Sequence, residues 1–237
     1  MNTKQEFLIS LDDLRSRIKD ACNRSNRATS EVELMAVTKT HPPQAVEWAL
    51  EAGLQTIGEN RVQEAAGKRP EVQGTTGYWE LIGPLQSNKA RLALETFDRI
   101  QTVDRPKLVR ILERLCGEMG KEGYPVLLQA NVGEDPAKSG CSVEEAEALA
   151  AAVMESEHLQ LEGLMTIGEF SDDEAVVRGT FRRLRELRDR LEIACGLKLQ
   201  VLSMGMTGDL EWAVEEGSTL IRVGTALFGT RAKYPPE

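Results

Sequence analysis

The sequence predicts an α/β protein built as one (β/α)8 TIM barrel with an extra N-terminal helix. Eight short apolar runs typical of buried strands recur along the 237 residues, and patterns typical of helices lie between them. Alternation of this kind indicates a parallel sheet, and eight units without a large insertion favour a closed barrel. The alternative is an open doubly wound sheet, but no GxGxxG fingerprint follows any of the runs.

The predicted strands are defined by their apolar runs and by the turn residues that follow them. They cover residues 34–38, 55–58, 78–83, 98–103, 125–132, 160–167, 199–204 and 220–224.

The predicted helices are defined by apolar residues at helical spacing and by capping signals at their ends. The first spans Thr3 to Asn23, with a stripe on one side made of Leu8, Leu11, Leu14, Ile18, Ala21 and Cys22. Pro42 and Pro43 begin the next helix. Asn60 is a candidate cap for the third helix, and Ser142 to Glu145 predicts a capping box. A long amphipathic helix through Phe181 and Leu191 ends near Gly196.

Composition excludes several classes of protein. A net charge of −9 and a pI near 5.0 argue against nucleic acid as a partner. Four scattered cysteines without CxxC spacing, and two histidines, argue against a zinc site and fit a reducing compartment. The polar N-terminus is not a signal peptide, and no apolar run is long enough to span a bilayer. We therefore expect a soluble cytoplasmic protein.

The chain reads as a single domain over 1–237, because no Pro/Ser-rich linker or sequence repeat divides it. Within it, 1–30 is the N-terminal helical segment, 67–77 is a longer loop, and 232–237 is a frayed tail.

Lys39 stands at an unusual place, directly after the apolar run 34–38 and before the prolines that end the strand. An ammonium group at a strand mouth is partly removed from water, which favours the neutral amine. A neutral amine can attack a carbonyl and form a Schiff base. The alternative is a lysine whose head simply reaches solvent at the strand end.

The ends of strands seven and eight form a candidate phosphate cradle, because barrels often bind phosphate at this position. Glycines there allow close backbone approach, hydroxyls add donors, and a short helix starting near Thr225 directs free N–H groups at an anion. The alternative is that the glycines serve tight turns and the hydroxyls cap helices. The residues concerned are Ser203, Met204, Gly205, Thr207, Gly224 and Thr225.

Arg222 interrupts an apolar strand, and alternation puts it on the face opposite Ile221 and Val223. If that face is the barrel interior, the guanidinium needs a partner. That partner is either a carboxylate such as Glu59 or a ligand ring nitrogen or anion. Asn60, at the end of strand two, is either a helix cap or a ligand contact.

The motifs AVTK, IGENRVQE, LIGPLQSNK, KSG, GLMTI, LSMGMTGD and IRVGTALFG occur in this order between Leu34 and Arg231. In this combination the chain resembles the YggS/PROSC family of pyridoxal phosphate homeostasis proteins. That family looks like the isolated barrel of alanine racemase and other fold-type III pyridoxal-phosphate enzymes.

The resemblance implies that Lys39 holds pyridoxal 5′-phosphate as a Schiff base, and that Arg222 faces the pyridine nitrogen. It implies that Gly224 and Thr225 bind the phosphate, that Thr207 and Ser203 complete the cradle, and that Asn60 lies by the cofactor. The family usually has serine where this chain has Thr207, which preserves the hydroxyl. Cys141 stands where an apolar residue is common, at a position without an assigned role.

Racemases of this fold add a second domain that supplies a catalytic tyrosine, and none follows the eighth strand here. Racemisation needs an acid or base on each face of the substrate, and Lys39 is the one evident candidate in this sequence. We therefore expect a cofactor-binding homeostasis protein without robust turnover, a monomer, whose partners include cofactor-dependent apoenzymes. The alternatives are an amino-acid racemase or related enzyme of low activity, and a Schiff-base aldolase with a sugar phosphate in the cradle.

Overall fold

The strands close into a barrel. The computed structural model of the protein describes residues 1–74, 77–133, 139–168 and 171–229. Within these residues eight parallel strands pair in chain order, and the last pairs with the first, which confirms the predicted barrel. They are β1 (Glu33–Val37), β2 (Thr56–Glu59), β3 (Tyr78–Leu81), β4 (Arg99–Val103), β5 (Tyr124–Gln129), β6 (Leu159–Met165), β7 (Val201–Ser203) and β8 (Leu220–Val223).

Helices surround the strands. They are α1 (Lys4–Arg24), α2 (Pro43–Glu51), α3 (Val62–Lys68), α4 (Ala90–Thr96), α5 (Pro106–Met119), α6 (Ala146–Met154), α7 (Glu174–Cys195), α8 (Leu210–Glu215) and α9 (Thr225–Phe228). The outward side chains of the strands, such as Ile57, Ile221 and Val223, pack with these helices in one apolar core. The inward side chains are partly polar, because Glu80, Arg99 and Gln101 are buried and bonded to one another.

Helix α1 packs beside the last strands and their helices. Phe7 stacks on Phe228 of α9 with ring centroids 5.4 Å apart, and Arg17 bonds Glu211 of α8. The predicted stripe of α1 is right except at Leu8, which is exposed, while its neighbour Phe7 is buried. The helix therefore packs on α8 and α9 with a stripe that begins at Phe7 instead of Leu8.

Most predicted helix ends are confirmed. Helix α2 begins at Pro43, and Gly196 ends α7 in the left-handed region at φ 65°. Ser142 and Glu145 exchange the predicted bonds of a capping box, although the helix itself begins at Ala146.

Two local predictions were wrong. Asn60 does not cap α3, because the cap position is taken by Arg61. The predicted loop 67–77 is helical in its first part, since α3 runs to Lys68 and a 3₁₀ turn follows over Arg69–Glu71. Residues 75–76 of that loop, Lys138 of the KSG motif and the predicted tail 232–237 lie outside the described residues.

In the part of the chain that the structure describes, no helix combines the length and the apolar character required to cross a membrane.

His158 makes the stability of the fold depend on pH. Its Nδ1 lies 2.7 Å from Glu113 Oε1 on α5, and this hydrogen bond raises the pKa of His158 above its usual value of about 6.5. A histidine whose pKa is raised by folding stabilises the fold fully below about pH 6.5, and that contribution is lost as the pH rises through the folded pKa. We expect the free energy of unfolding to fall as the pH rises above about 6.5, and to fall less in His158→Gln. Urea unfolding of both proteins below and above this pH measures the difference, and equal pH dependence would contradict the assignment.

Candidate cofactor site

Lys39 occupies the second position of a tight turn directly after β1. The turn is closed by a hydrogen bond of 3.0 Å from the His41 N–H to the Thr38 carbonyl. Lys39 and Thr40 are its two central residues, and Lys39 is half-buried. The predicted strand-end lysine therefore lies on a short, closed segment rather than on a loose loop.

Thr40 adopts a left-handed backbone conformation with φ 63°. A β-branched residue is an outlier in this region, and the conformation costs about 1–3 kcal/mol. Its hydroxyl is buried and has no hydrogen-bond partner within the described residues. The turn that carries Lys39 is therefore strained, and surrounding groups must hold it in place.

A charged cluster of Glu59, Glu64 and Lys68 lies against this turn. The Lys68 ammonium bonds Glu59 at 2.6 Å and Glu64 at 3.1 Å. Glu59 is fully buried, and this burial raises the pKa of its carboxyl in spite of the opposing effects of Lys68 and Thr38. The alternative that Glu59 pairs with Arg222 is therefore wrong, because its partners are Lys68 and Thr38.

The predicted cradle residues have different environments. Thr225, at the start of α9, is exposed, and Gly224 before it is half-buried. Thr207 is also half-buried, and its carbonyl accepts a bond of 2.9 Å from Arg17 of α1. These three residues are the accessible part of the cradle.

The other three cradle residues are buried. Met204 packs its side chain in the apolar core. Gly205 has φ 96°, and an added Cβ would lie 2.4 Å from that of Ala213, so close packing alone requires glycine there. The Ser203 hydroxyl is fully buried and already has two partners, Arg222 and Gln101.

Arg222 lies inside the barrel, as its alternation with Ile221 and Val223 predicts. Its guanidinium donates to the Ser203 hydroxyl at 2.7 Å and to the Thr166 carbonyl at 2.8 Å. Burial lowers the pKa of Arg222 to about 10, although Asp209 and Glu80 act in the opposite direction. The side chain stays protonated at neutral pH, so it can only donate hydrogen bonds.

Arg222 is the end of a chain of hydrogen bonds that crosses the barrel interior. Ser203 donates to Gln101 Oε1, and Gln101 donates to Glu80, each at 2.6 Å. Glu80 in turn holds Arg99 by two bonds of 2.6 and 2.8 Å. Arg99, at the opposite end of this chain of hydrogen bonds, therefore contributes to holding Arg222 in place.

Barrel closure brings the predicted site residues to one sector of the barrel mouth. The strands follow one another in the order β7, β8, β1 and β2 around the barrel. A Cβ on Gly224 would lie 3.0 Å from the carbonyl of Val37, two residues before Lys39. On the other side Val37 pairs with Gly58, two residues before Asn60. Lys39 therefore lies between the cradle and Asn60.

The sequence did not reveal the residues that bond to the candidate site residues and support them. They are Glu64 and Lys68, which bond the turn, the Thr166 carbonyl, which accepts from Arg222, Gln101, which accepts from Ser203, and Arg17, which donates to Thr207. A usable signal was the carboxylate Glu59 in an otherwise apolar strand, since a buried charge requires a cationic partner. The partner itself could not be identified, because it lies on another element.

The described residues contain no group of three or more histidine, cysteine or acidic side chains placed to hold a metal ion. Cys141 is buried, and burial raises the pKa of its thiol to about 12. It therefore packs in the apolar core as a protonated thiol.

Most of the chain matches one known protein family. Residues 9–232 match the family described as "Alanine racemase, N-terminal domain". The barrel with a lysine after its first strand is thus the N-terminal barrel of that class. The pyridoxal phosphate homeostasis protein of Pseudomonas aeruginosa is 44% identical over 219 residues, which cover 91% of this chain and 92% of the relative. The chain therefore belongs to the pyridoxal phosphate homeostasis protein family.

Solved structures agree with this assignment. A protein of unknown function from Bifidobacterium adolescentis is 36% identical and superimposes with a TM-score of 0.88, covering 95% of each chain. PipY of Synechococcus elongatus, solved with PLP bound, is 38% identical with a TM-score of 0.79, covering 91% of this chain and 99% of its own.

Proposed function

We propose that this protein binds pyridoxal 5′-phosphate through Lys39 and contributes to vitamin B6 and amino-acid homeostasis. The single observation that carries the proposal is the position of Lys39 between the β7–β8 cradle and Asn60. The name of the Pseudomonas relative and the PLP bound to PipY support the same cofactor. Three further properties stay predictions: that the protein is cytoplasmic, that it is a monomer, and that it supplies the cofactor to apoenzymes.

The residues present fit the three reactive parts of this cofactor. The Lys39 amine would hold its aldehyde as a Schiff base. The N–H groups at the start of α9 and the Thr225 hydroxyl would bind its phosphate, with the Thr207 hydroxyl completing the cradle. Arg222 would donate to its ring nitrogen, with Ser203 as the support of Arg222 rather than as a phosphate ligand.

Arg222 would influence the electronic properties of the bound cofactor. When bound, pyridoxal phosphate supplies an electron sink for carbanion chemistry, and a protonated ring nitrogen strengthens that sink. A guanidinium offers only donors, so it can bond only an unprotonated ring nitrogen. The second positive charge also disfavours protonation there. Arg222 would therefore weaken the electron sink while it still orients the ring.

Absorption spectroscopy with borohydride reduction tests the proposed function. The protein incubated with pyridoxal 5′-phosphate should gain visible absorption, and reduction should attach the cofactor to the peptide that contains Lys39. The same holoprotein, incubated with single L-amino acids, should form no D-amino acid at a steady rate. A protein that stays colourless with excess cofactor would refute the binding, and steady racemisation would refute the non-enzymatic role.

Substitutions of Arg222 and Thr225 should affect cofactor binding differently, because the two residues are assigned to opposite ends of the cofactor. Thr225→Ala removes one donor to a charged phosphate, worth about 1.5–3 kcal/mol, so the Kd should rise about tenfold or more. Arg222→Gln keeps an N–H donor but removes the charge, so it should shift the absorption maximum and change the Kd less. Titration of both variants followed by absorbance measures the two quantities. The reverse pattern would show that the two ends of the ligand are misassigned.

A further inference from the structure

The turn over residues 38–41 is held on both sides of Lys39 by one charged cluster. Before Lys39, the Thr38 carbonyl accepts a bond of 2.9 Å from the Lys68 ammonium, and the Thr38 hydroxyl donates to Glu59 at 2.6 Å. After Lys39, the Thr40 N–H donates to Glu64. Lys68 joins the two acids, so both flanks of Lys39 are tied to the same three side chains.

The cluster connects three elements of the fold at this one place. Glu64 and Lys68 lie four residues apart on α3, which puts them on the same helix face. Glu59 ends β2, and Thr38 follows β1. Any shift of the turn along or away from the barrel therefore stretches at least one of these bonds.

Fold stability alone explains the cluster poorly. Burying charges costs desolvation energy, and well-packed apolar residues are often as stabilising as a buried ion pair. Glu59 is completely buried, yet its Oε2 has no hydrogen-bond partner within the described residues. The strained Thr40 lies in the same turn, and strain of this kind concentrates where a geometry is held for a function.

We propose that Glu59, Glu64 and Lys68 are positioning residues, which fix the turn over 38–41 and thereby the place and direction of the Lys39 side chain. This inference rests on the proposed function, in which Lys39 holds the cofactor. None of the three needs to touch the ligand. Their effect is to reduce the number of positions from which the Lys39 amine can approach the aldehyde.

The test uses Lys68→Met and Glu64→Ala, with Arg69→Met as the matched control. Arg69 adjoins Lys68 in the chain, but its guanidinium bonds the Thr96 carbonyl and Asp98 instead of the turn. Each variant is measured in two ways. Hydrogen exchange of the peptide containing Thr38–His41 is followed in protein without cofactor, and the Kd for pyridoxal 5′-phosphate is followed by absorbance.

Both site variants should speed exchange of the Thr40 amide and raise the Kd about tenfold, because a displaced amine loses its favourable approach. The two substitutions remove charges of opposite sign. A purely electrostatic influence on Lys39 would therefore change the Kd in opposite directions, whereas a positioning role changes it in the same direction. Arg69→Met should lower the melting temperature without changing the exchange of this peptide or the Kd.

Unchanged exchange and unchanged Kd in both folded site variants would overturn the proposal, and so would opposite changes in Kd. If Lys68→Met does not fold, Glu64→Ala decides, because Glu64 is partly exposed and its loss leaves the Lys68–Glu59 pair intact. Failure of the proposed function is distinguishable. In that case the wild type itself binds no cofactor, while the exchange measurement still reports whether the cluster fixes the turn.

Discussion

Lys39→Ala is expected to abolish the visible absorption that the protein gains with pyridoxal 5′-phosphate. Alanine offers no amine, so the aldehyde has no covalent partner at the end of β1. The proposed phosphate end of the site is unchanged, since Gly224 follows β8 and Thr225 begins α9. We therefore expect weak, colourless binding that dialysis removes, and no cofactor attached to the chain after borohydride reduction.

Lys89→Ala is the matched control for this experiment, because Lys89 is a half-buried lysine that also follows the carboxyl end of a strand, β3. Its absorption should equal that of the wild type. Lys39→Arg adds a second control, since arginine keeps the charge without offering a reactive amine. A Lys39→Ala protein that is still coloured, or a label that maps to Lys89, would mean that another lysine holds the cofactor.

Glu80→Ala is expected to have the largest effect on stability. Glu80 is fully buried and accepts two bonds from Arg99 and one from Gln101. Burial acts to lower the pKa of Arg99, but Glu80 and Glu162 outweigh it and keep the guanidinium charged. Removing one partner of a buried pair costs about 3–5 kcal/mol when the other charge is left unpaired, and the bond of 2.7 Å from Arg99 to Glu162 should keep the cost at the lower end of this range. Urea unfolding followed by circular dichroism measures this loss of unfolding free energy.

Glu51→Ala provides the comparison for an exposed pair, since Glu51 meets Lys4 at the surface. This substitution should lower the free energy of unfolding by about 0–1 kcal/mol. A Glu80→Ala protein as stable as Glu51→Ala would show that water or a rearranged partner replaces the lost carboxylate. Because Glu80 also supports Gln101 and Ser203, the folded fraction of the variant should bind the cofactor with an altered absorption maximum.

The fold was predictable because its signals are local and repeated. Each strand shows as an apolar run and each helix as an amphipathic pattern, and eight such units leave few ways to arrange a parallel sheet. Errors occurred where two local signals competed. Asn60 has a common capping side chain, but the helix begins one residue later, after Arg61. Gly67 and Pro70 suggested a loop, although the chain stays helical or 3₁₀ through Glu71.

The candidate site was predictable only in part. Lys39, Arg222 and the Gly224–Thr225 pair stand out as charged or turn residues at strand ends. Ser203 carried the same signal as Thr207, but its hydroxyl is buried between Arg222 and Gln101. Whether a hydroxyl near a strand end faces a ligand or the interior depends on strand register, which adjacent residues do not reveal.

The sequence by itself determined the kind of fold, the family and the candidate residues for a cofactor site. Periodicity and motif order are properties of neighbouring residues in the chain, so they can be read without coordinates. Only the tertiary structure decided what surrounds those residues. Closure of the barrel joins β8 to β1. It brings Gly224 next to Val37, two residues before Lys39, although Gly224 and Lys39 are far apart in the sequence. Packing of α3 against β2 brings Lys68 to the Lys39 turn, because a buried charge must find its partner in space and not along the chain.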